Sequence, residues 1–346
     1  DIIKAGSSSA CPSAPTVFSL VLLPAVLPLS TKVVAHIVMN SFFGKALTYL
    51  RPVMLVAAVL LLIVVLARLG VSTFVDVVRN LSPLWMLATL LTIILNFLFA
   101  ARRYQILVAA HLSFLKVFET IMVSFLLNYA SMIQGLGIGA KVGMMKADGI
   151  NASRSIAGIL SEIAFDLGFA VLMGIIFYLV ADSPGLVLKD MPAMTTTLLL
   201  LLFVALIGGV VALRCSQFLR DVMEQLKVIT RSGKLLEVLI TTAGIWVVAG
   251  LGFYCMLNAE DATSSASLFL CIVAITTGFV TGLVSMVPGG VGVREITWAY
   301  IVSLSGVPLE VASLIAVLYR VLSIGAIVLV LLLWRNVARL ASPRPS

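Results

Sequence analysis

Charge is scarce in this chain. Of its 346 residues, 11% are Asp, Glu, Lys or Arg, where an average soluble domain carries roughly 25%. No polar stretch is long enough to build a soluble domain with its own core. Only two histidines occur, His36 and His111, far apart and in no metal motif. The four cysteines, Cys11, Cys215, Cys255 and Cys271, show no CxxC spacing. They read as small apolar fillers, not as ligands or a disulfide framework. HExxH, GxSxG, a Walker lysine and a glycine-rich nucleotide loop are all missing. The carboxylates are too few and too scattered for an intramembrane protease or hydrolase. The expectation is therefore a protein that is not an enzyme and uses no cofactor and no metal.

What the chain has instead is apolar length. Hydrophobic residues make up 61%, and several runs reach the roughly 18–20 residues that cross a bilayer. This predicts an all-α polytopic membrane protein. The net charge of +8 does not point to nucleic acid, because the basic residues fall between apolar runs, as the positive-inside rule has them. Residues 1–45 form a polar and short apolar N-terminal segment. Asp1 to Pro15 reads as disordered or as a start-site artefact. Val17 to Leu29, interrupted by Pro24 and Pro28, reads as interfacial or signal-like.

Spans are predicted at Pro52–Leu69, Pro83–Ala101, Ser155–Val180, Thr195–Leu213, Leu236–Leu257 and Leu309–Trp334. Val117–Ile133 and Ser267–Val287 each run into a glycine-rich break. Gln217–Arg231 is amphipathic and lies on the membrane surface or packs on the protein's own spans. Arg102, Arg103 and Lys116 mark one side as cytoplasmic, together with the Arg214–Lys234 loop and a basic tail at 335–346. Those assignments close only if each glycine-broken segment enters and leaves on one face, which makes it a re-entrant hairpin.

The two breaks resemble each other. Pro288-Gly289-Gly290-Val291-Gly292-Val293-Arg294-Glu295 echoes Gly135-Leu136-Gly137-Ile138-Gly139-Ala140-Lys141, with an offset of 292 − 139 = 153. Gly306-Val307-Pro308 then echoes Gly149-Ile150-Asn151, with an offset of 306 − 149 = 157. Two glycine-interrupted apolar segments at matching places in two halves point to a transporter site built on an inverted-topology repeat. The halves run from about 52 to 181 and from about 194 to 334, within a transmembrane domain at 46–334. The plainer reading is that such glycines let helices pack closely.

The candidate site follows from the charges inside or beside the apolar runs. Lys141 and Arg294 hold equivalent places at the two breaks, where half-helix ends favour an anion; alternatively they snorkel to the interface. Arg320 lies mid-span and needs a counter-charge, with Glu295, Glu162 and Asp166 as candidates. Glu162 and Asp166 are four apart and share a helix face. The same charges also fit a structural ion pair locking two helices. Asn128, Tyr129 and Gln134 either line the cavity or bond across helices.

The Pro-Gly-Gly-x-Gly-x-Arg-Glu run at 288–295, followed by Gly306-Val307-Pro308 and Leu318-Tyr319-Arg320, resembles the transmembrane region of bacterial lysylphosphatidylglycerol synthases. It is also similar to stand-alone flippase-like membrane proteins that share that region. The resemblance spans roughly Pro52 to Trp334. The family's first half reads Pro-Gly-x-x-Gly-Glu and, later, Glu-Arg-x-x-Asp. Here Ala140 stands at the glutamate and Ile163 at the arginine, while Glu162 and Asp166 are kept. The resemblance implies translocation of a lipid or lipid-linked head group. The aminoacyl transferase domain fused to this region in the synthases has no counterpart in these 346 residues, so lysyl transfer is not expected of them alone.

The reading is thus a lipid translocase of a bacterial plasma membrane, multi-pass and with a cytoplasmic C-terminus. It works without ATP hydrolysis, and its partner is an anionic or lipid-linked membrane lipid, not nucleic acid. Arg294, Lys141 and Arg320 would contact the head group, and Glu295, Glu162 and Asp166 would balance charge. The alternatives are a scaffold or lipid presenter for a separate glycosyl- or aminoacyl-transferase, and a small-solute secondary transporter. Oligomeric state, including a homo-oligomer, is left open.

Overall fold

The computed structural model describes residues 77–108, 111–130, 135–181, 227, 229–231, 233–259, 266–285 and 287–341. All of them belong to one compact unit, Val53–Ser346. The N-terminal 45 residues, the spans predicted at Pro52–Leu69 and Thr195–Leu213, most of the amphipathic stretch Gln217–Arg231, and Gln134 lie outside the described residues.

The described residues are helical throughout, with no strand. In chain order the helices are α1 Pro83–Leu107, α2 Phe114–Ala130, α3 Leu136–Ala147, α4 Ala152–Ala181, α5 Leu235–Leu257, α6 Leu268–Val284, α7 Val293–Ser303 and α8 Leu309–Ala341. A single 3-10 turn, Pro288–Gly290, lies between α6 and α7. α1, α4, α5 and α8 are long and apolar enough to cross a membrane, so the protein is a multi-pass membrane protein.

Local sequence explains where the helices start and stop. Pro83 opens α1, where a missing N–H costs nothing. The Ser267 hydroxyl accepts from the Leu270 N–H at 3.2 Å and caps α6. α3 ends in a Schellman turn. Gly149 sits at φ 83, its N–H reaches the Lys146 carbonyl, and the Ile150 N–H reaches the Met145 carbonyl at 2.9 Å. The matching Gly306 after α7 sits at φ 94, and its N–H reaches the Ser303 carbonyl. The residues that follow, Ile150 and Val307, are both buried. The echo read from the sequence is therefore a repeated local structure: a short helix, a left-handed glycine, a buried apolar residue and a long helix.

The first break differs from its expected form. Gly135, Gly137 and Gly139 were all expected to interrupt the backbone. Only Gly135, at φ 86, does so, and α3 begins at Leu136. Gly137 and Gly139 are ordinary helical residues, because a helical glycine costs only about 1 kcal/mol relative to alanine. Close packing also favours glycine at 137. A Cβ there would lie 2.3 Å from the Ser124 backbone oxygen and 2.6 Å from the Asn128 side chain. The second break is interrupted as expected, with Gly289, Gly290 and Gly292 at φ 63, 65 and 80.

Four of the helices pack on one another. α1 lies along α5, and α5 meets α6 and α8. A Cβ on Gly250 would stand 2.8 Å from the Ile272 Cα, and one on Gly252 would stand 2.6 Å from the Thr92 hydroxyl oxygen. Small residues at these crossings let backbones approach where lipid supplies no hydrophobic drive. α2 packs on α3, and α3 on α4; α6 packs on α7, and α7 on α8. α4 and α8 thus each brace the short helix before them.

Candidate functional site

Two clusters of buried charge stand on this frame. The first lies between α1, α3 and α4. Lys141 on α3 donates to the Glu162 carboxylate on α4 at 2.6 Å. Its ammonium also sits 3.7 Å from the centre of the Tyr104 ring, and the Tyr104 hydroxyl is bonded to Ser155 at 2.6 Å. One turn along α4, Asp166 is held from both sides. Arg103 on α1 forms a two-pronged bridge to it, at 2.6 and 3.0 Å, and the Trp246 indole on α5 donates to it at 3.0 Å. Arg103 also donates to Thr242 at 3.2 Å. Its Nε stands 3.8 Å from Glu162 and has no hydrogen-bond partner. All four charged residues are buried. Two cations face two carboxylates, so the cluster is neutral.

The role of Arg103 corrects the sequence reading, which placed it with Arg102 on a cytoplasmic edge. α1 runs on to Leu107, so 102 and 103 are helical neighbours about 100° apart. Arg102 points outward and pairs with the exposed Glu237 at 2.5 Å. Arg103 shares the inner face with Ala100, Tyr104 and Leu107, all buried. A signal was available in the sequence. Arg103 falls on the helical spacing of the apolar inner face of α1, with Ala100, Tyr104 and Leu107.

The second cluster surrounds the Pro288–Gly290 turn. Of the three carboxylates considered for Arg320, the fold brings Glu295 into an ion pair with it. Arg320 also donates to the Gly289 carbonyl at 3.2 Å and lies over the Tyr129 ring. The other Glu295 oxygen accepts from the Gly292 N–H at 2.7 Å. A carboxylate at the third position of a helix that reaches back to the cap satisfies a free donor. Glu295 is 1% exposed, so both of its oxygens are engaged inside the protein.

Arg294 is arranged differently. Its stem lies against Gly282 and Gly290, where a Cβ would come within 2.4 and 2.5 Å of its Nε. The guanidinium faces the Phe279 ring at 5.7 Å. Its Nε is buried with no hydrogen-bond partner, and among the described residues no carboxylate forms an ion pair with it. Two cations and one carboxylate leave this cluster with an excess of one positive charge. Asn128 stands between the two breaks. Its side chain lies against Gly137 and its backbone oxygen against Gly289. Among the described residues no three His, Cys, Asp or Glu side chains converge as metal ligands.

The described residues thus form an all-helical, multi-pass membrane protein that holds an ion pair beside a glycine-broken turn. Residues 52–331 match the model of the lysylphosphatidylglycerol synthase TM region, and the chain belongs to that family. The family ties it to lipid modification or transport. A comparison with curated proteins finds no match.

Proposed function

We propose that this protein moves a lipid, or a lipid-linked anionic head group, between the leaflets of a bacterial plasma membrane without hydrolysing ATP. The observation that carries the reading is the condition of Arg294. The other three cations of the two clusters, Arg103, Lys141 and Arg320, are each engaged by a carboxylate. Arg294 is not, although its Nε is buried. It also sits in the first turn of α7, where the helix dipole disfavours a cation by about 0.3–1 kcal/mol. A residue so placed lowers stability unless an anion completes it. An anion bound there would meet the guanidinium beside a helix N-terminus, and an arginine can hold a phosphate through two parallel bonds. The hairpin helices α2, α3, α6 and α7 have 17, 12, 17 and 11 residues. At 1.5 Å per residue these fall short of a bilayer core of about 30 Å, in keeping with a broken-helix site inside the membrane. The basic C-terminal tail belongs on the cytoplasmic side in this reading.

The test is Arg294→Met in reconstituted vesicles carrying a fluorescent anionic lipid, with leaflet accessibility as the readout. Methionine keeps most of the packing against Gly282 and Gly290 and removes the charge. Flipping should fall at least tenfold. Thermal stability should stay level or rise, because Glu295 keeps Arg320 as its partner. Arg294→Lys should keep part of the activity, since an ammonium lacks the fork. Unchanged flipping by a folded Arg294→Met protein would remove the anion-site reading.

A further inference from the structure

The internal repeat puts specific first-half residues at the positions of the second-half ion pair. The offset of 153 sets Val142 at Glu295, and the offset of 157 sets Ile163 at Arg320. The first half has therefore lost both members of that pair, and both replacements are apolar and packed against the core. Yet α4 still carries two buried carboxylates, Glu162 and Asp166, and α3 supplies one cation for them. The missing positive charge arrives from outside the hairpin, on α1.

We infer that Arg103 is the relocated counterpart of Arg320: a positioning residue that supplies, from a neighbouring helix, the cation absent from position 163. Three observations meet here. Arg103 is buried and bridges Asp166 with both terminal nitrogens. Its third nitrogen, Nε, points toward Glu162 at 3.8 Å without a bond, so the guanidinium spans both carboxylates of the face. Position 163 stands three residues before Asp166 on α4, a spacing at which side chains meet on a helix. An arginine there would reach the same carboxylate from its own helix. Moving the cation to α1 has a structural consequence. Asp166 ties α4 to α1 through Arg103 and to α5 through Trp246, whereas the ion pair and hydrogen bond of Arg320 join α8 to the adjacent α7 and the turn beside it, and its guanidinium lies over Tyr129 on α2. With Asp166 satisfied by Arg103, Glu162 is left to hold Lys141.

This inference does not depend on lipid transport, and its test reads folding alone. Four proteins are compared by thermal unfolding in detergent and by the yield of monodisperse protein on size exclusion: the parent, Arg103→Met, Ile163→Arg and the double variant. Arg103→Met strands Asp166 and should lower Tm by on the order of 10 °C or cut the yield severely. Ile163→Arg adds a third cation to a balanced cluster and should also lower Tm. The double variant restores the balance and should recover at least half of the Arg103→Met loss, in Tm or in yield. Additive losses in the double variant would overturn the inference, as would an Ile163→Arg protein as stable as the parent. Recovery of charge balance from position 163 is an outcome that a merely space-filling Arg103 does not allow.

Discussion

In the first half the short helix contributes the cation, Lys141, and the long helix contributes the carboxylates, Glu162 and Asp166. In the second half the signs are exchanged: α7 contributes Glu295 and α8 contributes Arg320. The backbones follow one plan, down to the left-handed glycines at 149 and 306, but the charges do not. The first cluster is neutral and is tied into α1 and α5. The second has one positive charge left over, on Arg294, and its ion pair is confined to neighbouring elements. One backbone plan thus carries two charge arrangements: a neutral cluster that ties helices together and one with a cation that no described carboxylate pairs. The backbone differs in the same sense. Among the described residues the first break has one glycine at positive φ, whereas the second has three and a 3-10 turn.

The largest expected effect contrasts the two ion pairs. Arg320→Met leaves the buried Glu295 without its ion-pair partner, a loss that costs roughly 3–5 kcal/mol. Lys141→Met leaves Glu162 with Arg103 still 3.8 Å away, so it should cost clearly less. Paired unfolding measurements decide this, and a larger loss for Lys141→Met would invert the comparison. Next comes helix packing at the first break. Gly137→Ala drives a Cβ into the Ser124 backbone and should cost about 1–3 kcal/mol. Gly139→Ala meets nothing within 4 Å and should be neutral or stabilise by up to about 1 kcal/mol. Equal effects at 137 and 139 would mean that α2 and α3 do not pack as closely as described. The smallest effect separates the adjacent arginines of α1. Arg102→Ala breaks an exposed bridge to Glu237 and should change stability by no more than about 1 kcal/mol, far less than Arg103→Met.

How legible each part was depended on the range of the interaction behind it. Span positions were close: the stretch expected at Leu236–Leu257 is helical at Leu235–Leu257, and that at Ser155–Val180 is helical at Ala152–Ala181. Apolar length and the turn residues at each end act locally, so a linear reading catches them. The glycine breaks were found but partly misdrawn. A glycine permits both a helix and a turn, and what decides at Gly137 is α2, thirteen residues away on the Ser124 side. The Arg320 partner was narrowed to three carboxylates and no further, because sequence spacing relates Glu162 to Asp166 on one helix but not Glu295 to Arg320 across two. Arg103 was misassigned, since its neighbour Arg102 and the end of the apolar run both suggested a loop.

By itself the sequence determined that this chain is an all-helical membrane protein, that two of its segments repeat, and that charges inside its apolar runs need partners. Those conclusions rest on the cost of placing polar groups in an apolar medium, which is set by composition and periodicity alone. Only the tertiary structure decided which charge meets which. An ion pair is made between side chains whose separation in space has no fixed relation to their separation in the chain. Arg103 and Asp166 stand 63 residues apart in the chain and 2.6 Å apart in space, while Arg294 and Glu295 are adjacent in the chain and form no ion pair. The packing of α1 against α4 and of α7 against α8 made those choices, and with them left Arg294, among the described residues, as the cation of the two clusters that no carboxylate pairs.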